Sequence, residues 1–252
     1  FYFVEGLPPA AMHAGADMAA VSMHKSGGSL TQSSLLLTGS AMPERHVRQI
    51  INLTQTTSAS YLLLSSLDIS RRNLALRGKE AFAKVVEMAE YARAESNAIG
   101  GYYAYARELV NGSSIYDFDI TKLSVNTLAV GLAGIEVYDL LRDEYDIQIE
   151  FGDLGNILAY LSIGDRPRDI ERLVSALAEI RRRFGGSGRA LMKQEYLEPQ
   201  VAVSPQAAFY AQKESLPLQQ SAGRICSEFV MCYPPGIPIL APGERITKDI
   251  LD

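Results

Sequence analysis

Lys25 and the polar residues beside it are the part of the sequence best suited to covalent chemistry. The apolar run Met18–Val21 leads into Ser22, His24 and Lys25, and a small glycine-containing loop follows. If this run is a strand, Lys25 stands at its exit, and Ser22 and His24, two positions apart, point to the same side. A lysine amine beside hydrogen-bond donors suits pyridoxal phosphate, because the amine forms an imine with the cofactor and the donors bind its phosphate. A surface lysine after a strand would show the same residues, so this pattern alone leaves both interpretations open.

Six segments of the sequence resemble, in the same order, regions of one protein family. The first is the run that ends at Lys25, and the others lie at residues 55–61 with 66–68, 119–123, 162–165, 204–209, and 233–238 with 242–244. The family is that of the prokaryotic ornithine/lysine/arginine decarboxylases, which are pyridoxal phosphate enzymes of fold type I. The segments extend over essentially the whole chain, so the resemblance covers it from end to end.

The resemblance implies an α/β fold, and the turn residues 111–114 and the glycine-rich residues 185–188 divide the chain into three parts. Residues 1–110 would be the C-terminal part of the cofactor-binding large domain of fold type I, and residues 111–188 a small α+β domain. Residues 189–252 would be a proline-rich C-terminal segment. The chain begins at Phe1 without methionine and is apolar from its first residue, so we expect it to be a fragment of a longer enzyme. The acid that pairs with the pyridine nitrogen is then expected upstream, in an Asp-x-x-His segment.

The resemblance also assigns site residues around the cofactor. It makes Lys25 the imine lysine and catalytic residue, and it places Ser22 and His24 near the phosphate or the ring edge. It places Thr31 in a region that crosses a dimer interface, where its hydroxyl would contact the partner subunit's phosphate. The alternatives are a backbone-satisfied serine for Ser22, a structural hydrogen bond for His24 and a capped turn for Thr31.

Glu228 is the candidate for binding the substrate. A basic amino acid needs an anion for its distal cation, and Glu228 interrupts an otherwise apolar strand predicted over residues 225–231. Alternation along the strand could equally place Glu228 on the solvent face. His13 and His46 have no metal-ligand spacing with any cysteine or acidic residue, so we predict no metal site.

The composition is that of an ordinary globular protein. Of the 252 residues 47% are hydrophobic and 21% charged, and the net charge is −5, so we expect no nucleic-acid partner. The densest basic run, residues 181–183, closes a predicted helix, where cations are favoured. No apolar stretch is long enough for a transmembrane helix, and no signal peptide pattern is present. With two cysteines, the chain favours free thiols in the cytoplasm.

Periodicity predicts the elements that position these residues. The first half should contain strands at 17–22 and 32–38, a helix after Pro43, another helix capped by Ser58 or Ser60, and a long helix over 79–110 that breaks at Gly100 and Gly101. The second half should contain a strand at 115–125, a helix at 134–144, strands at 147–151 and 157–163, and a helix at 168–184. That order predicts a small open sheet with helices on one face. A flexible link at 185–188 and one strand at 225–232 complete the prediction.

The leading functional interpretation is decarboxylation of a basic amino acid to carbon dioxide and a polyamine-pathway amine. Arginine is favoured over lysine and ornithine, because the layout resembles the shorter members of the family. The family implies a homodimer or a higher homo-oligomer. A fold-type-I aminotransferase or lyase, and a truncated non-catalytic relative, are the alternatives.

Overall fold

The computed structural model describes residues 3–186, 198–233 and 236–251. The chain folds as two compact units, Phe1–Arg189 and Ala190–Asp252. The finer division into residues 1–110, 111–188 and 189–252 stays a prediction, and residues 187 and 188 of the predicted link lie outside the described residues. No helix in the described part of the chain is long and apolar enough to cross a membrane.

An antiparallel strand pair flanks the segment that carries Lys25. Strand β1, Met18–Val21, pairs with β2, Leu35–Thr38, with Val21 opposite Leu35. Between them lies the single helical turn α1, Met23–Ser26. Both strands are shorter than predicted, because the polar stretch after Val21 turns into α1 and Gln32 takes a left-handed backbone with φ 66°.

Two helices follow β2. Helix α2, Glu44–Thr54, begins directly after Pro43 as predicted. Helix α3, Tyr61–Ile99, begins after Ser60, whose hydroxyl accepts a hydrogen bond from the Leu63 amide at 3.4 Å. The capping by Ser60 confirms one of the two predicted caps.

Helix α3 is one helix of 39 residues, and the prediction of two separate helices is wrong. Gly78 does not interrupt it, since one glycine inside a helix costs only about 1 kcal/mol. The ring of Phe3 packs over Gly78, where a Cβ atom would lie 2.7 Å from that ring, and it stacks on Phe82. The helix ends at Gly100, with φ 78°, so the predicted break is confirmed.

A four-stranded antiparallel sheet follows α3 in the first unit. Its strands are β3, Tyr103–Ala104, β4, Lys122–Asn126, β5, Phe151–Gly152, and β6, Asn156–Tyr160, in the order β3-β4-β6-β5. Alternate residues of β4 and β6 are buried, namely Leu123, Val125, Ile157 and Ala159. The predicted strand-helix-strand-strand-helix order is confirmed, although the strands are shorter and the added edge strand β3 was predicted as helix.

Helices α4, Gly134–Tyr145, and α5, Pro167–Phe184, belong to the same core as the sheet. The apolar residues of α5 recur every three or four positions, and Ile170, Leu173, Leu177 and Ile180 are buried as that spacing predicts. The basic end of α5 is structural: Arg183 pairs with Glu144 of α4 at 2.5 Å, and the Arg181 Nε donates to the Gly100 carbonyl at 3.1 Å.

The second unit is small and contains little regular structure. It has helix α6, Pro205–Tyr210, the antiparallel strands β7, Val230–Cys232, and β8, Ile237–Leu240, and helix α7, Lys248–Leu251. The strand predicted at 225–232 is too long, because β7 begins only at Val230 and is preceded by an isolated bridge at Ile225. Cys226 is a buried free thiol that donates to the Glu228 carbonyl at 3.0 Å. Pro234 and Pro235 lie outside the described residues.

Candidate functional site

A cavity of about 480 Å³ in the first unit is lined by Lys25. Three parts of the chain form most of its wall: the turns at residues 7–12, the strand pair β1–β2 with α1, and residues 119–122 and 160–162 at the ends of β4 and β6. Its volume lies in the range of pockets that bind small molecules and cofactors. The cavity therefore joins Lys25 to a part of the chain nearly a hundred residues later.

Helix α3 fixes the loop around Lys25. The Met23 side chain, 2% exposed, packs in the core and anchors α1 there. Lys25, on the same helical turn, is exposed. The Ser70 hydroxyl donates to the Gly27 carbonyl, and the Leu30 amide donates to the Ser66 hydroxyl at 3.2 Å. These bonds tie the residues after Lys25 to the first third of α3.

Ser22 lies with Lys25 in the lining of the cavity, but for a different reason than the sequence suggested. The prediction that Ser22 and His24 point to the same side of a strand is wrong, because β1 ends at Val21 and residues 23–26 form a helical turn. Ser22 precedes that turn, and its carbonyl accepts the Lys25 amide at 3.1 Å. Residues three apart on a helical turn share a face, which brings Ser22 and Lys25 to the same cavity.

His24 and Thr31 are placed differently. The Nδ1 atom of His24 is 2.8 Å from the Ser33 carbonyl, and His24 is absent from the described lining of the cavity. Thr31 is exposed in the turn before β2, beside Gln32, and is likewise absent from that lining. The bond of His24 gives it a role in holding the loop, and cofactor contacts by either residue stay predictions.

Glu228 belongs to the second unit, Ala190–Asp252. It is exposed and lines a cavity of about 730 Å³ in that unit, together with the ion pair of Glu214 and Arg224, whose charged atoms are 2.6 Å apart. Its predicted contact with the distal cation of a substrate stays a prediction.

A charged cluster forms one wall of the Lys25 cavity. The Lys122 ammonium is 3.1 Å from the Asp119 carboxylate, donates to the Thr121 hydroxyl at 2.8 Å and lies 3.9 Å from the centre of the Tyr160 ring. Asp119 also accepts from the amide and the hydroxyl of Thr121, at 3.0 and 2.6 Å. Burial alone would raise the pKa of Asp119, but the bonds from Thr121 and Lys122 outweigh it and hold that pKa below its usual value. We call Asp119, Thr121, Lys122 and Tyr160 the charged wall.

Arg93 of α3 lies behind the charged wall and is 5% exposed. Its guanidinium donates to four carbonyls: Tyr105 at 2.9 Å, Ala89 at 3.2 Å, Ile120 at 2.5 Å and Lys122 at 2.7 Å. Burial lowers the pKa of Arg93 to about 10, so the group stays protonated at neutral pH.

Arg93 was not among the site residues predicted from the sequence. The available signal was its position on the buried stripe of α3, four residues after Ala89, which itself lies four residues after Val85. A charged residue on an apolar stripe must find partners inside the protein.

Comparison with known proteins identifies the family. Residues 3–125 match the family profile described as Orn/Lys/Arg decarboxylase, major domain, and residues 189–252 match Orn/Lys/Arg decarboxylase, C-terminal domain. The chain belongs to the Orn/Lys/Arg decarboxylase family. This confirms the resemblance seen in the six segments of the sequence.

Curated members of the Orn/Lys/Arg decarboxylase family match nearly the whole chain. The arginine decarboxylase of Halalkalibacterium halodurans is 44% identical over 255 residues, which cover 99% of this chain and 52% of that protein. The arginine decarboxylase of Bacillus subtilis is 42% identical over 252 residues, which cover 98% of this chain and 51% of that protein. The chain thus spans about half the length of these relatives.

Solved structures share the fold at low sequence identity. The lysine decarboxylase of Francisella novicida matches with a TM-score of 0.75 and 17% identity, over 93% of this chain and 44% of that one. Lysine decarboxylase A of Pseudomonas aeruginosa matches with a TM-score of 0.73 and 19% identity, over 99% and 46%. The alanine–glyoxylate aminotransferase of a Nostoc species matches with a TM-score of 0.52 and 17% identity, over 69% and 51%. The α/β fold is therefore common to decarboxylases and an aminotransferase.

Proposed function

We propose that the protein containing this sequence decarboxylates arginine, with pyridoxal phosphate bound covalently to Lys25. The observation that carries the proposal is the exposed Lys25 amine in the lining of a cavity, in a chain of the Orn/Lys/Arg decarboxylase family. Arginine is preferred to lysine or ornithine because curated arginine decarboxylases match the chain at up to 44% identity over nearly its full length.

The groups around the cavity fit this cofactor. Lys25 offers a primary amine, and Ser22 and Ser26, which also line the cavity, offer hydroxyl donors suited to a phosphate. When bound, pyridoxal phosphate supplies an electron-accepting ring that takes up the electron pair left as carbon dioxide departs. The family resemblance would place the acid for the ring nitrogen in an Asp-x-x-His segment outside this sequence.

Each residue of the proposed site then has its own role. Lys25 holds the cofactor and Ser22 binds the phosphate, while apolar residues of the lining, such as Leu35, Phe82 and Leu161, exclude water from the reacting carboxylate. His24 is proposed to orient the loop and to contact the cofactor. Thr31 is proposed to reach the partner subunit's phosphate in a homodimer, and Glu228 to bind the distal cation of the substrate. The roles of His24 and Thr31 rest on the family resemblance. The role of Glu228 rests on its charge within an otherwise apolar segment, and the expected cytoplasmic location rests on the two cysteines.

Replacing Lys25 by alanine in the full-length protein tests the proposal. We expect the variant to lose both the near-visible absorbance of the lysine-bound cofactor and the release of labelled carbon dioxide from arginine. Lys79→Ala, which removes an exposed lysine from α3, is the matched control and should retain both. An unchanged spectrum in Lys25→Ala would overturn the assignment of the lysine.

The same assay separates the competing reactions. Carbon dioxide release should be greatest with arginine when lysine and ornithine are offered at the same concentration. Transfer of the amino group to a keto acid without release of carbon dioxide would instead identify an aminotransferase, the activity of one protein that shares the fold.

A further inference from the structure

We propose that Arg93 is a positioning residue that holds the charged wall of the Lys25 cavity in place for the substrate. The inference rests on the proposed function for its catalytic consequence. The structural part of the inference does not depend on that function, because it states only which hydrogen bonds hold residues 119–122 in place.

The guanidinium of Arg93 brackets the residue at the centre of the wall. Its Nη1 donates to the Ile120 carbonyl and its Nη2 to the Lys122 carbonyl, at 2.5 and 2.7 Å, so Thr121 lies between two bonded carbonyls. The Thr121 and Lys122 side chains line the cavity with Asp119. Fixing these two carbonyls therefore fixes the backbone from which the lining side chains project.

The same side chain joins three separate parts of the chain. Arg93 itself lies on α3, its Nε donates to the Tyr105 carbonyl, and the Tyr105 amide in turn donates to the Ser124 carbonyl of β4 at 3.0 Å. The start of β4 is thus held from both sides, directly through Lys122 and indirectly through Tyr105. A lysine cannot reproduce this arrangement, because an ammonium is a point donor and lacks the planar fork of a guanidinium.

Lys25 is held by other bonds. Its loop is tied to Ser66 and Ser70, more than twenty residues before Arg93 on α3. Loosening the charged wall should therefore leave cofactor attachment at Lys25 intact and change how a substrate is held opposite it. Misplacement by about 1 Å can lower catalytic efficiency by on the order of 100-fold.

The test compares Arg93→Lys with a control that loses an equally buried structural bond. Tyr102→Phe is that control, since the buried Tyr102 hydroxyl donates to the Leu177 carbonyl at 3.0 Å and is absent from the described lining of the cavity. In the full-length protein we expect Arg93→Lys to keep the absorbance of the lysine-bound cofactor. Its kcat/KM for arginine should fall roughly 10- to 100-fold, with a raised KM, while Tyr102→Phe should lower Tm and leave both kinetic constants near their native values.

Amide hydrogen exchange provides a readout that does not require activity. Residues 120–124 should exchange about tenfold faster in Arg93→Lys than in Tyr102→Phe, and the Lys25 loop should exchange equally in both. Equal exchange in this segment, or kinetic constants that match those of Tyr102→Phe, would show that Arg93 acts on stability alone and would overturn the inference. A native protein that releases no carbon dioxide would overturn the proposed function, and the exchange result would still decide whether Arg93 holds the wall. If Arg93→Lys does not fold, Arg93→Gln, which keeps two donors without the charge, takes its place.

Discussion

Replacing Gly134 by alanine should destabilise the first unit, although alanine favours helices. Gly134 is the first residue of α4 and lies against the hairpin of β5 and β6. A Cβ atom there would lie 1.9 Å from the Asn156 carbonyl oxygen, and one on Gly152 would lie 2.4 Å from the Gly134 oxygen. The two glycines therefore let helix and hairpin approach at backbone distance.

The expected magnitude follows from that geometry. Relieving the contact requires the distance to grow from 1.9 Å to about 3.4 Å, where ordinary contact begins, and both groups are backbone that cannot rotate aside. Overpacking of this kind costs about 3 kcal/mol at the upper end of its usual range. The gain in helix propensity is at most about 1 kcal/mol, so we expect a net loss of about 2 kcal/mol.

Thermal unfolding followed by circular dichroism measures this loss. For a unit of this size it corresponds to a fall in Tm of about 4–8 °C. Gly155→Ala is the control: it lies in the same hairpin, and its nearest neighbour, the Leu128 side chain, would be 3.4 Å away. A Gly134→Ala protein as stable as Gly155→Ala would refute the claim that close backbone approach fixes this residue.

Two further outcomes follow from the hydrogen bonds described above. The pKa of Asp119 is lowered in the folded protein, so its stabilising contribution is present above its usual pKa of 3.8 and is lost as pH falls through the lower folded value. The Tm difference between the native chain and Asp119→Asn should therefore shrink between pH ~5 and pH ~2, and a difference that stays constant would contradict this. Ser204→Ala should cost the second unit about 1 kcal/mol, because the Ser204 hydroxyl accepts the Ala207 amide at the start of α6, at 3.2 Å. Ser204→Asp, which can still cap, should unfold at the same urea concentration as the native chain, and equal losses in both variants would contradict the capping role.

Strongly periodic segments were predictable from the sequence. Segments in which two backbone conformations are both possible were not. Helix α5 was predicted within one residue at its start and at its end, because its apolar residues recur with helical spacing and Pro167 favours the first turn of a helix. The strand before Lys25 was predicted too long, because Ser22 tolerates both extended and turning backbone. The long helix α3 was predicted as two helices, whereas it runs unbroken through Gly78, over which the ring of Phe3 packs.

The candidate site was predictable only in part. That Lys25 and Ser22 lie near each other was predictable from the sequence, because a polar cluster after an apolar run is visible locally. That residues 119–122 form the opposite wall could not be derived from spacing, since their approach to Lys25 depends on how the sheet packs. Arg93 was missed for a different reason: its place on the buried stripe of α3 was visible in the sequence, but its partners are backbone carbonyls, which leave no trace in residue types.

Helix α3 also sets the spacing between the Lys25 loop and the charged wall. The bonds to the Lys25 loop and the bonds to the charged wall both come from side chains of this one helix. Ser70 and Arg93 are separated by 23 residues, or about 35 Å along the helix axis. Inserting or deleting one residue between them would turn one set of anchors by about 100° relative to the other. We therefore expect this stretch to accept many changes of side chain but no change of length.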